Sequence, residues 1–258
     1  MKPYKVPFTL IIPTAGEGKR LNFSGPKTLY PVLGKPILSW IVESFPFEPK
    51  QIVIVVNPKN ETQVKNYISE NNYLKNFEVT FAYQPFPKGN MDAVHQGVLA
   101  SSNDINICIW GDQIGVTSSL ISSAMDNFIN GSNVCLTLPL IYRENPYVYF
   151  DLGKQGNIEG FFETSRGAGQ IFSGLSDTGL FVFDRNLVLE YFKLKDAIDS
   201  DIELDNQDLN FLGCFKDMQD LGFKISKYFV YDLRCTHAIN SKLDEANFLN
   251  FLEMSQKG

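Results

Sequence analysis

Short apolar runs alternate along this chain with longer segments in which apolar residues recur at helical spacing. An apolar run without polar interruption is typical of a strand that is covered on both faces of a sheet. The pattern predicts strands at residues 8–12, 51–56, 77–83, 106–110, 134–140, 179–183 and 224–231. It predicts helices at residues 36–45, 60–72, 90–100, 118–128, 186–192, 207–221 and 242–254. This alternation predicts an α/β fold with a doubly wound, mostly parallel central sheet.

The pattern changes between Ile141 and Gly174. Glycine, tyrosine, phenylalanine and turn residues dominate this stretch, and it has no convincing helical spacing. It therefore predicts a small antiparallel lobe, after which the chain returns to the main sheet. The sequence has no internal repeat and no linker long enough to separate independent units, so we expect one domain over residues 1–258.

Composition and charge narrow the functional classes. Of the 258 residues 44% are hydrophobic, which is ample for a sizeable core. The net charge of −6 argues against a general nucleic-acid binder, whose surface is normally basic. No apolar run approaches the roughly 20 residues of a membrane span. We therefore expect neither a nucleic-acid nor a membrane partner.

The N-terminus and the cysteines indicate a cytoplasmic protein. The chain leads from Met1 directly into the first strand without a small-residue cleavage site, so we expect no signal peptide. The cysteines show no Cys-x-x-Cys spacing, and at least two of them lie in apolar strands. Buried thiols in a reducing compartment are the interpretation that fits this pattern.

The loop after the first strand carries the strongest chemical signal. It contains Gly16 and Gly18, followed by the cations Lys19, Arg20 and Lys27. Glycines let the backbone N–H groups approach an anion, and the cations neutralise charge that the amides alone do not. The loop predicts a polyphosphorylated ligand, although a tight turn with solvated lysines would show some of the same features.

Two better-known phosphate loops do not fit this segment. A Walker loop requires a hydroxyl residue after Gly-Lys, whereas Arg20 follows Gly18-Lys19 here. A dinucleotide fingerprint requires a third glycine, whereas Leu21 stands at that position. The acidic residue that should bind the ribose is also missing, because Gly34-Lys35-Pro36 occupies that region.

The combination of three short motifs resembles the nucleotidyltransferases of the sugar-phosphate pyrophosphorylase type. The motifs are Gly16-Glu17-Gly18-Lys19-Arg20-Leu21, Pro26-Lys27-Thr28-Leu29 and Gly34-Lys35-Pro36-Ile37-Leu38. The resemblance implies that Ala15, Gly16 and Gly18 bind a nucleoside triphosphate and that Arg20 stabilises the departing pyrophosphate. It implies that Lys27 draws the acceptor phosphate and the α-phosphate together. The nucleotide-binding half would then span about 1–140, and the acceptor-side lobe about 141–178.

Two residues are predicted to bind a metal ion. Asp112 follows the strand at 106–110, at the strand end where ligands bind in open α/β sheets. The family carries an aspartate there that binds Mg²⁺, and Asn240 resembles the asparagine that is its second protein ligand. Carboxylate and amide oxygens suit this ion. Helix capping is the structural alternative for both residues.

Gln84, Gly89 and Asn90 are the predicted contacts to the base. In uridylyl-transferring relatives a glutamine reads the base edge and a glycine five positions later lies against the pyrimidine, and Gln84 and Gly89 keep that spacing. Asn90 stands where threonine is usual. A side-chain amide pairs with both a donor and an acceptor, so UTP and CTP are not separated. A polar loop residue is the alternative interpretation of Gln84.

The acceptor residues depart from the family pattern. The family's Tyr-Gly-Arg is replaced by the segment at 146–151, which contains Tyr147 but neither the glycine nor the arginine. Glu163 corresponds to a sugar-contacting glutamate, without the lysine that usually follows it, and Arg166 lies nearby. Asp177 stands where sugar enzymes commonly have asparagine. These changes leave the acceptor open between a sugar 1-phosphate and a non-sugar phosphate used with CTP.

The resemblance therefore implies a magnesium-dependent nucleotidyltransferase whose partners are a nucleoside triphosphate and a phosphorylated small molecule. Such an enzyme would serve nucleotide-sugar or CDP-metabolite biosynthesis, including that of cell-surface polysaccharides, and homo-oligomers stay open. A glycosyltransferase of related fold typically has Asp-x-Asp at the metal, and Gly111-Asp112-Gln113 lacks the first acid. An inactive regulatory relative should have lost Arg20, Lys27 or Asp112, and all three are present.

Overall fold

The computed structural model describes residues 2–3, 6–16, 19–86, 88–164, 172–199 and 210–255. Its strands are β1 Lys2–Pro3, β2 Phe8–Pro13, β3 Pro31–Val32, β4 Lys35–Pro36, β5 Phe47–Glu48, β6 Gln51–Val56, β7 Val79–Tyr83, β8 Ile105–Ile109, β9 Leu136–Glu144, β10 Val148–Leu152, β11 Ile158–Glu163, β12 Ser173–Asp177, β13 Leu180–Asp184 and β14 Ile225–Val230. Its α-helices are α1 Ile37–Glu43, α2 Glu61–Glu70, α3 Asn90–Ala100, α4 Ser118–Asn130, α5 Arg185–Asp199, α6 Cys214–Asp220 and α7 Lys242–Ser255.

The main sheet of the described residues has ten strands, nine in the order β11-β10-β12-β9-β13-β8-β2-β6-β7 and the tenth, β14, paired to β9. Strands β8, β2, β6 and β7 are mutually parallel, and β14 runs parallel to β9. Strands β10, β11 and β12 continue the sheet with antiparallel pairs. The predicted α/β class, with a parallel core and a small antiparallel lobe, is confirmed.

Helices cover both faces of the parallel strands, which explains their uninterrupted apolar sequences. In β2, Leu10 and Ile12 face one hydrophobic core, whereas Ile11 faces the other. In β6, Ile54 faces the same core as Leu10, and Val55 faces the same core as Ile11. Because successive side chains of a strand point to opposite faces, a strand buried on both faces requires apolar residues at every position.

The predicted element boundaries differ from the structure mainly in the second half of the chain. Strand β9 continues to Glu144, beyond the predicted end at residue 140, because its last residues pair with β12. Of the predicted helix at 207–221, the structure contains α6 and a short 3₁₀ turn at Phe211–Gly213. Residues 207–209 lie outside the described residues.

The described residues contain no helix that is long and apolar enough to cross a membrane. All four cysteines are buried, as their positions in apolar segments predict. Burial raises the pKa of Cys135 to about 12 and that of Cys235 to about 11. Burial therefore favours the neutral thiol form of these cysteines at neutral pH.

Candidate functional site

A cavity of about 880 Å³ lies at the carboxyl ends of the parallel strands. Among its lining residues are most of the predicted site residues, namely Ala15, Gly16, Arg20, Lys27, Gln84, Gly89, Asn90, Asp112, Tyr147, Asp177 and Asn240. Glu163 is buried and does not line it, although its neighbour Thr164 does. Gly18 and Arg166 lie outside the described residues.

Lys27 lies at the centre of the predicted phosphate end. Its Nζ contacts Asp112 Oδ2 at 2.5 Å and donates to Asn240 Oδ1 at 2.6 Å. Arg20 Nη2 donates to the same Asn240 oxygen at 3.2 Å. Two predicted cationic residues and two predicted metal ligands, from four separate parts of the chain, are thus in direct contact.

Asp112 and Asn240 are neighbours because the loops that carry them are hydrogen-bonded to each other. We call the loops at residues 111–115 and 235–240 the paired loops. The N–H of Ile239 donates to the carbonyl of Asp112 at 2.9 Å, and the N–H of Gly115 donates to the carbonyl of His237 at 3.0 Å. The buried Gln113 adds a third bond through Nε2 to the carbonyl of Cys235 at 2.7 Å.

The glycine loop is held from the neighbouring strand. Thr14 Oγ1 donates to the carbonyl of Val55 at 2.8 Å, and Asn57 Nδ2 donates to the carbonyl of Ala15 at 2.7 Å. A side chain added at Gly16 would meet nothing within 4 Å. The backbone at Gly16 therefore faces open space that a ligand can occupy.

The two metal-ligand candidates fit a magnesium ion that also binds substrate oxygens. The described residues contain no group of three or more His, Cys, Asp or Glu side chains that could hold a metal ion by themselves. One carboxylate and one amide oxygen converge here, within reach of a single ammonium group. Mg²⁺ commonly takes one or two protein oxygens and completes its shell with phosphates and water.

On the base side, Gln84 uses both of its N–H groups within the protein. Its Nε2 donates to the carbonyl of Gly89 at 2.8 Å and to Asp92 Oδ2 at 2.9 Å. The amide oxygen is thus the group that remains for a ligand, so Gln84 presents an acceptor rather than a donor and an acceptor together. Asn90 holds the neighbouring segment, because its Oδ1 accepts from the N–H of Phe211 at 2.6 Å.

The acceptor-side carboxylates are engaged in contacts with the protein. Glu163 Oε1 accepts a hydrogen bond from Asn210, which also bonds Asn90. Asp177 Oδ2 accepts from the N–H of Gly179 at 2.8 Å, and burial raises the pKa of its carboxyl group. Tyr147 is exposed at the cavity wall. Of the three acceptor candidates, Tyr147 has the most exposed side chain.

Sequence reasoning missed Arg143, which is half-buried and lines the cavity. Its Nη1 donates to the carbonyl of Thr236 in the second paired loop at 3.0 Å. Burial lowers the pKa of the guanidinium. The available signal was a single cation after the apolar run of β9, which precedes the segment at 146–151 that replaces the family's Tyr-Gly-Arg.

The chain is similar in sequence to several known proteins. A family model for the MobA-like NTP transferase domain matches residues 10–155. The bifunctional protein GlmU of Thermoanaerobacter pseudethanolicus is 29% identical over 153 residues, which are 58% of this chain and 32% of that protein. The 2-C-methyl-D-erythritol 4-phosphate cytidylyltransferase of Bifidobacterium longum is 38% identical over 72 residues, which are 27% of this chain and 25% of that protein. The chain thus spans about a third or less of the length of these curated relatives.

A solved structure shows the same fold over nearly the whole chain. The 4-diphosphocytidyl-2C-methyl-D-erythritol synthase of Anaerococcus prevotii superposes with a TM-score of 0.64 at 12% sequence identity. The superposition covers 96% of this chain and 96% of that chain. At this identity the likeness concerns the fold alone.

Gly115→Ala tests whether the close contact between the paired loops supports the structure. A Cβ at Gly115 would lie 1.9 Å from the carbonyl oxygen of Arg234, so one loop must move. We expect the free energy of unfolding in urea to fall by roughly 1–3 kcal/mol, as in other overpacked sites. Gly213→Ala is the matched control, because its Cβ would meet only Phe161, at an ordinary 3.4 Å. Equal stabilities of the two variants would contradict this account.

Proposed function

This chain is a member of the MobA-like NTP transferase family, and we propose that it transfers a nucleoside monophosphate from UTP or CTP to a phosphorylated small molecule. Pyrophosphate is the second product. The observation that carries the proposal is the contact of Lys27 with Asp112 and Asn240, beside Arg20 and the glycine loop. These residues form a site for several phosphate groups at once.

The reaction requires positioning more than proton transfer. A phosphate oxygen of the acceptor attacks the α-phosphorus and forms a new P–O bond, while the bond from that phosphorus to pyrophosphate breaks. The nucleophile is already anionic, so no general base is needed. Catalysis then depends on alignment of the two phosphates and on stabilisation of their charge.

We assign to Arg20 and Lys27 the stabilisation of the negative charge on the phosphates. Lys27 is partly buried between Asp112 and Asn240, whereas Arg20 is exposed at the cavity mouth. We propose that Lys27 binds the acceptor phosphate together with the α-phosphate, and that Arg20 binds the departing pyrophosphate. Charges fixed where negative charge develops contribute more in the transition state than in substrate binding.

A divalent cation is part of the proposal, because the positive charge of the described side chains near the phosphate end does not neutralise the negative charge of the substrates. Asp112 offsets one of the two positive charges of Arg20 and Lys27. A triphosphate and a phosphomonoester together bring several negative charges. Magnesium held by Asp112 and Asn240 would neutralise phosphate oxygens when bound.

The proposed nucleotide is based on the residues around Gln84, and the proposed acceptor is based on similar proteins. Gln84 Oε1 provides an acceptor for a donor on the base edge, while Gly89 lies beside it at the start of α3. A sugar 1-phosphate is the proposed acceptor. The second candidate is a non-sugar phosphate used with CTP, which the likeness to a cytidylyltransferase that acts on methylerythritol phosphate favours.

Arg20→Ala and Lys27→Ala should each lower the turnover number by roughly 10²–10³-fold, with a smaller change in the Michaelis constants. Pyrophosphate release under steady-state conditions measures both quantities. Lys35→Ala is the control, since Lys35 forms a surface ion pair with Glu43. Normal turnover with raised Michaelis constants would show that the two residues only bind substrate.

Asp112→Ala should abolish turnover and leave the fold intact, because the carboxylate is assigned to the metal rather than to the core. We expect the variant to keep less than about a tenth of the wild-type rate, a loss of at least ~1.4 kcal/mol. Chelation with EDTA should stop the wild-type reaction, and added Mg²⁺ should restore it. Asp220→Ala controls for the loss of a surface carboxylate. A wild-type rate that is insensitive to EDTA would contradict the metal assignment.

A substrate panel tests the specificity. Pyrophosphate release should be faster with UTP or CTP than with ATP or GTP, and Gln84→Ala should raise the Michaelis constant of the preferred nucleotide about three- to tenfold, as for one lost hydrogen bond. N-acetylglucosamine 1-phosphate should be a poor acceptor, because the family's Tyr-Gly-Arg is absent. Preference for a purine nucleotide would refute the base assignment, and efficient use of N-acetylglucosamine 1-phosphate would refute the acceptor argument.

A further inference from the structure

Arg143 is a cation of the cavity wall that the proposed phosphate chemistry does not use. Among the described residues, its side chain makes one hydrogen bond, from Nη1 to the carbonyl of Thr236. Its Nε is shielded from solvent and has no hydrogen-bond partner among the described residues. The ion pairs of the described residues do not include it.

Two carboxylates lie near this guanidinium without pairing with it directly. Asp177 and Asp244 both favour its charged form through electrostatic attraction. Asp177 accepts from the N–H of Gly179, and Asp244 Oδ2 accepts from the N–H of Asn240 at 2.9 Å and from Ser241 Oγ. Each carboxylate thus accepts a nearby backbone N–H through its Oδ2 oxygen. Among the described residues, only one of the five N–H donors of Arg143 has a hydrogen-bond partner.

A half-buried guanidinium with unpaired donors is costly to the folded protein, because its lost hydration is not replaced. An oxygen-bearing ligand in the cavity would replace it. The same cavity is lined by Tyr147 and Asp177 of the antiparallel lobe. Thr236, which Arg143 contacts, is four residues from Asn240, so their Cα atoms are at most ~14 Å apart. Arg143 and the proposed metal ligands Asp112 and Asn240 line the same cavity.

Building on the proposed function, we propose that Arg143 selects the acceptor by donating hydrogen bonds to an oxygen remote from the reacting phosphate. The substrate class is then a phosphorylated polyol, sugar or sugar acid, whose hydroxyl or carboxylate oxygens accept such bonds. A phosphate with a quaternary ammonium head group is disfavoured, because such a head has no acceptor oxygen for the donors of the guanidinium. This narrows the non-sugar alternative to acceptors with neutral or anionic heads.

Calorimetric titration in the absence of turnover provides the first test. The probes are glucose 1-phosphate with a neutral head, 3-phosphoglycerate with a carboxylate, and phosphocholine with a cationic head. We expect the wild type to bind at least one of the first two more tightly than phosphocholine. Arg143→Gln should weaken that binding about tenfold or more and leave phosphocholine unchanged or improved. Arg143→Lys should retain the charge preference with intermediate affinity.

Arg185→Gln is the matched control. Arg185 is also half-buried and also donates to a backbone carbonyl, that of Ser101, but it does not line the cavity. Its replacement should leave all three affinities unchanged. Unaltered binding in Arg143→Gln, tightest wild-type binding of phosphocholine, or no binding of any probe would overturn the proposal.

Steady-state kinetics distinguish a role of Arg143 in selecting the acceptor from a purely structural role in supporting the paired loops. With an acceptor that is turned over, Arg143→Gln should raise the Michaelis constant of the acceptor and leave that of the nucleotide and the turnover number within about threefold. A structural role through Thr236 would instead displace Asn240, lower turnover and weaken nucleotide binding. Failure of all nucleotide and phosphate pairs to release pyrophosphate would refute the proposed function, whereas the calorimetric result would still decide the role of Arg143.

Discussion

The hydrogen bonds between the paired loops are the constraint on which the site depends. Asp112 stands at the end of a parallel strand, whereas Asn240 precedes the last helix, and neither position is informative alone. The bonds from Ile239 to Asp112 and from Gly115 to His237 fix the two loops in register. Gln113 reinforces them from a buried position, where an unpaired amide would be costly. The two oxygens can then meet one cation without further reorganisation.

Strand geometry supplies the rest of the phosphate end. Parallel strands deliver their carboxyl ends to one edge of the sheet, so the glycine loop after β2 and Asp112 after β8 are neighbours. Gly111 permits this approach, because a Cβ there would lie 2.5 Å from the carbonyl oxygen of Pro13. Lys27 reaches the same point from a separate turn. Preorganisation of this kind is what the proposed reaction, which needs no general base, requires.

The sequence allowed most of the fold to be predicted, because burial on both faces leaves a plain apolar signature. The strand at 51–56 and the helix at 90–100 agree with the structure residue for residue. The shared contact of Asp112 and Asn240 with Lys27 could be expected only from a family resemblance, since nothing in the spacing of one sequence joins such distant loops. The sequence did not predict that Gln84 donates both of its N–H groups to Gly89 and Asp92, because these hydrogen bonds depend on side-chain rotamers. Arg143 was missed for a related reason, since a lone cation at a strand end is usually solvated.

Strand β9 joins the two halves of the molecule. Its first six residues pair in parallel with β14, whereas its end pairs antiparallel with β12 of the lobe. Arg143 projects from this end and contacts the loop that leads to Asn240. In the proposed role, the pairing of this end of β9 with β12 would hold a substrate oxygen at Arg143 in a fixed position relative to the proposed metal ligands. Under this proposal, one short element joins acceptor recognition in the lobe to phosphate alignment in the core, and a change of acceptor need not disturb the residues that align the phosphates.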